Sequence, residues 1–211
     1  MAGGAIALDD NIFASFPLGY ESILSVLYVG RESADYLPVF NPRLVGAWVG
    51  LGAALATVSL ARILGAGNRS SWLAGIVMVL VPTWQEFGAS AHVEPYLVLL
   101  TVSSLIMAVR FLEGVRGSWP FLALFLGLAA GVKYPGMAVL FFVLAGLLLV
   151  KLFELRRTEA DPLPFLRTWL PLVLLALLIA SPFYIRNLLE RGNPVFPLLY
   201  DVFGGEGWDP S

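Results

Sequence analysis

The chain has 211 residues, of which 58% are hydrophobic and 13% charged, with a net charge of -2; an ordinary soluble domain carries about 25% charged residues. With a mean hydropathy of +0.81, the composition is that of a polytopic all-α membrane protein. The absence of cysteine excludes disulfides and thiolate metal sites, and the single His92 excludes a multi-histidine site within one copy. No basic run or platform of stacking aromatics points to nucleic acid.

Residues 1–8 are small and apolar, but they lack a basic n-region and are too short to span a bilayer, which takes about 20 residues. Asp9-Asp10-Asn11 reads as a turn or a helix start. From 17 to 28, Leu18, Ile23, Leu24, Leu27 and Tyr28 recur at mixed three- and four-residue spacing. That pattern predicts a short amphipathic helix lying at the membrane surface, or else one packed on the rim of a bundle.

Six apolar runs follow, at 44–61, 71–91, 95–109, 119–132, 134–150 and 168–185. The second is interrupted by Pro82 and by Gln85-Glu86, and 151–167 is the one substantial polar connector. The last run closes in SPFYIRNLLERGNPVFP at 181–197, where Gly192-Asn193-Pro194 stops any continuing helix. Small residues at Gly46, Gly50, Gly52, Ala53 and Ala54 permit close helix contact.

Orientation follows from the basic residues. Arg62, Arg69, Arg110, Arg116, Lys151, Arg156, Arg157 and Arg167 fall on one side of this topology, and Arg31, Arg43, Lys133, Arg186 and Arg191 on the other. The richer side is expected to be cytoplasmic, with the inverted orientation as the alternative. Both termini are then outside. A translocated start with no preceding span suggests a longer protein with at least one further N-terminal helix. The expected division is a partial extracytoplasmic loop (1–43), a six-helix transmembrane domain (44–187) and an extracytoplasmic segment (188–211) leading to a further C-terminal part.

Ionisable residues in or beside spans carry a functional hypothesis. Glu86 lies inside the outer end of the second run, and His92 and Glu94 lie in the turn before the third. Lys133 ends a run that covers about 21 Å of a 30 Å core, so it needs a watery cavity or an anionic partner. Gly131 and Pro135-Gly136 around it fit a broken connection lining a cavity. With Arg186 these form a pocket open to the outside. Lys133 and Arg186 suit a phosphate or diphosphate, as point charge and bidentate donor. Glu86 or Glu94 suits a sugar hydroxyl, a divalent cation or a general-base position, and a plain Lys133–Glu94 pair inside the bundle is the competing reading. Tyr134, Asn187 and Asn193 are further candidate site residues.

Several stretches resemble a known family. They are NIFASFPLGYE at 11–21, AHVEPYLVLL at 91–100, GLAAGVKYPG at 127–136, SPFYIRNLLERGNPVFPLLY at 181–200 and FGGEGW at 203–208. In this order they resemble membrane glycosyltransferases of the GT-C class, near the dolichyl-phosphate-mannose–protein mannosyltransferase and aminoarabinose transferase-like group. The resemblance implies transfer of a sugar from a polyprenyl-phosphate donor to a glycan, lipid or protein acceptor. It places the site on the extracytoplasmic face of a cell-envelope membrane, the bacterial inner membrane. It implies no certain cofactor, with a divalent metal as a candidate. The family's base is an aspartate in the first extracytoplasmic loop, for which Asp9 and Asp10 are weak matches. It often has Asp where Glu94 stands, and it matches Lys133 and Arg186 to donor-phosphate positions. A transporter or lipid flippase is the second reading and an inactive scaffold or fragment the third; a flippase usually shows internal repeats, and none is evident.

Overall fold

The computed structural model describes residues 42–82, 84 and 92–205. The expected helix at 17–28, the acids Asp9 and Asp10, and Glu86 lie outside the described residues. Those described form an all-α membrane bundle with no strand among them. Its elements are α1 (Pro42–Ile63), α2 (Asn68–Leu80), α3 (Glu94–Leu112), α4 (Ser118–Val132), α5 (Tyr134–Thr158), α6 (Leu163–Arg191) and a short α7 (Tyr200–Phe203). Four helices are long and apolar enough to cross a bilayer: α1, α3, α5 and α6. Large apolar side chains such as Phe142, Phe153 and Leu189 stand largely exposed on them. Such a surface is stable where lipid is the solvent.

Helix α4 is the centre. It packs against α3, α5 and α6, while α1 packs on α2 and α3. Its small residues explain its place: Ala123, Gly127, Ala129, Ala130 and Gly131 are buried, so neighbouring backbones approach closely. A Cβ added at Gly127 would stand 2.6 Å from the Ala176 carbonyl of α6. Between them, Leu122, Leu126, Leu140, Leu144 and Leu172 fill the remaining core. The outer pair α1–α2 uses the same device, with Gly75 seated against Val58 and the Ala54 carbonyl.

Several hydroxyl groups in the spans are satisfied by the helix that carries them. Thr57, Thr101 and Ser104 each donate to the carbonyl four residues back. Pro182, inside α6, removes the N–H that would reach Leu178, and the neighbouring Ser181 hydroxyl donates to that carbonyl at 2.8 Å.

One expectation is corrected. Residues 151–167 are not a polar connector, because α5 continues to Thr158 and α6 starts at Leu163. Lys, Glu and Arg are good helix formers, so the fall in hydropathy marks the edge of the lipid rather than the end of a helix. The true break is at Glu159, whose backbone is left-handed (φ 54°), followed by Asp161 accepting the Leu163 N–H. Likewise α6 outlasts its apolar run and ends at Arg191, where Gly192 (φ 71°) caps it.

Candidate functional site

The site is built where α4 stops short. Its 15 residues cover about 22 Å of a 30 Å core. Lys133 is a single extended residue (φ -163°, ψ 152°) between α4 and α5, and Pro135 fixes the first turn of α5. The two helices turn so sharply that a Cβ at Gly136 would overlap the Ala129 carbonyl. Breaking a helix here orphans its last carbonyls. One of them, Ala130, accepts from the Tyr184 hydroxyl of α6 at 2.7 Å.

Lys133 reaches its anionic partner. Its Nζ lies 2.6 Å from Glu94 Oε1 at the start of α3, with the side chains 35% and 30% exposed. Glu94 Oε2 is buried and accepts no hydrogen bond among the described residues. His92 Nδ1 is 3.7 Å from that oxygen, and its side chain is the most open of the three. The pair is therefore wet enough for a ligand to reach and dry enough for its charges to count.

A second cluster begins at the next residue. The Tyr134 hydroxyl donates to the Phe196 carbonyl and accepts from Asn187 Nδ2 at 3.4 Å. Asn187 Oδ1 accepts from Arg186 Nη2 at 3.1 Å, and Glu190 Oε2 stands 3.8 Å from Arg186 Nε. The guanidinium also lies 6.0 Å from the Phe183 ring. Asn193 is fully buried and shapes the segment after α6. It accepts from the Val195 N–H and donates to the Leu198 and Gly204 carbonyls.

The structure thus gathers His92, Glu94 and Lys133 in one cluster and Tyr134, Arg186 and Asn187 in another, joined through the Lys133–Tyr134 peptide. Asn193 supports the second cluster from the turn that presents Phe196. Two residues here are not among those the sequence singles out for a site: Tyr184, and Arg191, which enters there only for orientation. Arg191 is 7% exposed, with its guanidinium 5.7 Å from the Phe196 ring. The signal for both is in the spacing: Leu172, Ala176, Ala180, Tyr184, Asn187 and Arg191 form one helical stripe that turns from apolar to polar at Tyr184.

Chemically, the arrangement offers two cations, a carboxylate with an unused oxygen, and hydroxyl and amide donors at one end of the bundle. Glu94 and His92 could contribute to a divalent cation, but no group of three or more metal-binding side chains gathers among the described residues.

The helices define a multi-pass membrane protein. The family model for dolichyl-phosphate-mannose-protein mannosyltransferase matches residues 23–191, and the chain belongs to that family. It is, in general terms, a membrane glycosyltransferase, of a family that uses lipid-linked sugar donors and glycan or protein acceptors. No curated protein and no solved structure matches the chain.

Proposed function

We propose that this chain carries the donor-phosphate site of a GT-C-type glycosyltransferase. It passes a sugar from a polyprenyl phosphate to an acceptor on the extracytoplasmic side. The observation that carries this reading is the Lys133–Glu94 pair at the broken α4–α5 junction, next to the Tyr134–Asn187–Arg186 network. Lys133 and Arg186 would take the phosphate oxygens, where negative charge grows as the sugar leaves. Glu94, with its unused oxygen, would hold a sugar hydroxyl. A carboxylate base would remove the acceptor proton, for about 10²–10⁴-fold in rate; Asp9, Asp10 and Glu86 are the carboxylates for that role. The polyprenyl tail would lie along the apolar helix faces. The division into 1–43, 44–187 and 188–211 is part of this proposal.

The test is binding of a sugar-free polyprenyl phosphate to the purified protein in nanodiscs. Saturable binding is expected, weakened about tenfold (about 1.4 kcal/mol) by Lys133→Ala and by Arg186→Ala. Glu94→Gln should strengthen binding of this probe, because it releases the Lys133 ammonium from its carboxylate. Unchanged affinity in both cation variants would reduce these residues to internal pairs and sink the donor site.

A further inference from the structure

At the opposite end of the bundle, the α3–α4 and α5–α6 turns enclose a cavity of about 490 Å³. This lies within the range of small-molecule sites. Its walls include Phe111, Trp119, Leu155 and Phe165, and its rim carries Arg116, Lys151, Glu154 and Asp161. Ordered turns preform it: Gly114 and Gly117 are left-handed (φ 75° and 79°), as is Glu159 on the other side. Ser118 is buried and donates to the Val115 carbonyl, fixing the loop that holds Arg116. None of this belongs to the Lys133 site, which lies at the other end of α4.

The rim has an informative charge pattern. Lys151 and Glu154 neutralise each other at 2.6 Å. That leaves one guanidinium, Arg116, and one carboxylate, Asp161, neither in an ion pair among the described residues. Asp161 makes a single hydrogen bond, to the Leu163 N–H at 3.0 Å. A purely anionic ligand would meet Asp161 as a like charge, and a purely cationic one would meet Arg116. A ligand with both signs a few ångströms apart meets neither penalty.

We infer that this cavity binds a phospholipid whose headgroup joins a phosphate to a primary ammonium. The phosphate lies on Arg116 and the ammonium on Asp161. The glycerol and first methylenes enter between Phe111, Trp119 and Phe165. The acyl chains leave the cavity for the surrounding bilayer. Two observations support a lipid over a soluble zwitterion: the apolar walls, and the tryptophans Trp119 in the wall and Trp169 against the Phe165 ring, a residue type that favours the membrane–water boundary.

The test is native mass spectrometry of the full chain released from micelles doped equally with phosphatidylethanolamine, phosphatidylglycerol and phosphatidylcholine. Preferential retention of phosphatidylethanolamine is expected. Arg116→Ala should lower the retained amount of both phosphatidylethanolamine and phosphatidylglycerol by about threefold, as for a partly exposed charge contact. Glu154→Gln and Asp161→Asn keep their side-chain acceptors, so the local hydrogen bonds survive. Each should shift the preference from phosphatidylethanolamine towards phosphatidylglycerol. Equal retention of the three lipids overturns the inference, as does a preference that the three variants leave unchanged.

Discussion

At the Lys133 end of the bundle, polar side chains join residues 39 to 62 positions apart in the chain. At the Arg116 end, the ion pairs are Arg110–Glu113 and Lys151–Glu154, each three positions apart on one helix. A local pair forms in any helix that carries it, so it says little about how helices meet. A pair across elements holds only if the bundle is assembled correctly. The Lys133 end therefore specifies geometry, and polar groups held by other elements are what a site for a defined ligand requires. The Arg116 end is a cavity whose shape comes from turns.

The largest expected effect is at the helix crossing that creates the Lys133 break. Gly136→Ala would place a methyl carbon on the Ala129 backbone, which cannot swing aside as a side chain would. Overpacking of this kind costs about 1–3 kcal/mol, and more where backbone is the obstacle. Gly146→Ala, on the same helix with open space around it, should be neutral or slightly stabilising. Thermal melting in detergent distinguishes them: if the two variants melt together, α4 and α5 do not meet as described.

The next effect tests the second cluster. Tyr134→Phe removes the hydroxyl that serves both Asn187 and the buried Phe196 carbonyl. Losing a hydrogen bond at a buried site costs about 0.5–1.5 kcal/mol. The same variant should make the 193–199 segment easier to cleave by protease, because Tyr134 ties it to the bundle. A variant as stable and as protease-resistant as the wild type would mean that the network contributes nothing to the site.

How much of this is legible in the amino-acid sequence depends on the kind of signal. Helix ends marked by covalent restraint are plain: Pro135 after Lys133 and Gly192-Asn193-Pro194 after α6 act locally, so sequence suffices. Helix ends inferred from polarity mislead at 151–167, since leaving the lipid does not end a helix. The need of Lys133 for an anion is legible, because a 14-residue apolar run cannot carry it to the surface. Its pairing with Glu94 is only one of two readings, because that depends on the packing of α3 against α4. Tyr184 and Arg191 are visible in spacing but overshadowed by Arg186, which stands one position off the stripe. The cavity at the other end leaves no trace in hydropathy. It arises from left-handed turns at Gly114, Gly117 and Glu159, and only backbone geometry shows how they face each other.

The smallest effect bears most directly on the contrast between the two ends. In a double-mutant cycle, Glu94→Gln and Lys133→Met isolate the coupling of the cross-helix pair. That pair lies between the exposed and buried limits, so its coupling should be about 1 kcal/mol, near the average of about 0.6 kcal/mol for interhelical hydrogen bonds in membranes. The matching cycle with Glu154→Gln and Lys151→Met should give no more than about 0.5 kcal/mol, as for intrahelical surface pairs. Salt should separate them further, because screening acts on exposed charges more than on shielded ones. Raising the ionic strength is expected to weaken the Lys151 coupling more than the Lys133 coupling, because Glu154 is 55% exposed against 30% for Glu94. Equal couplings with equal salt dependence would mean that the Lys133–Glu94 contact is an ordinary surface pair. A soft, fully solvated pair could not hold Lys133 in place for a phosphate. The same measurement that ranks the two ends therefore tests whether the Lys133 end is built as a binding site.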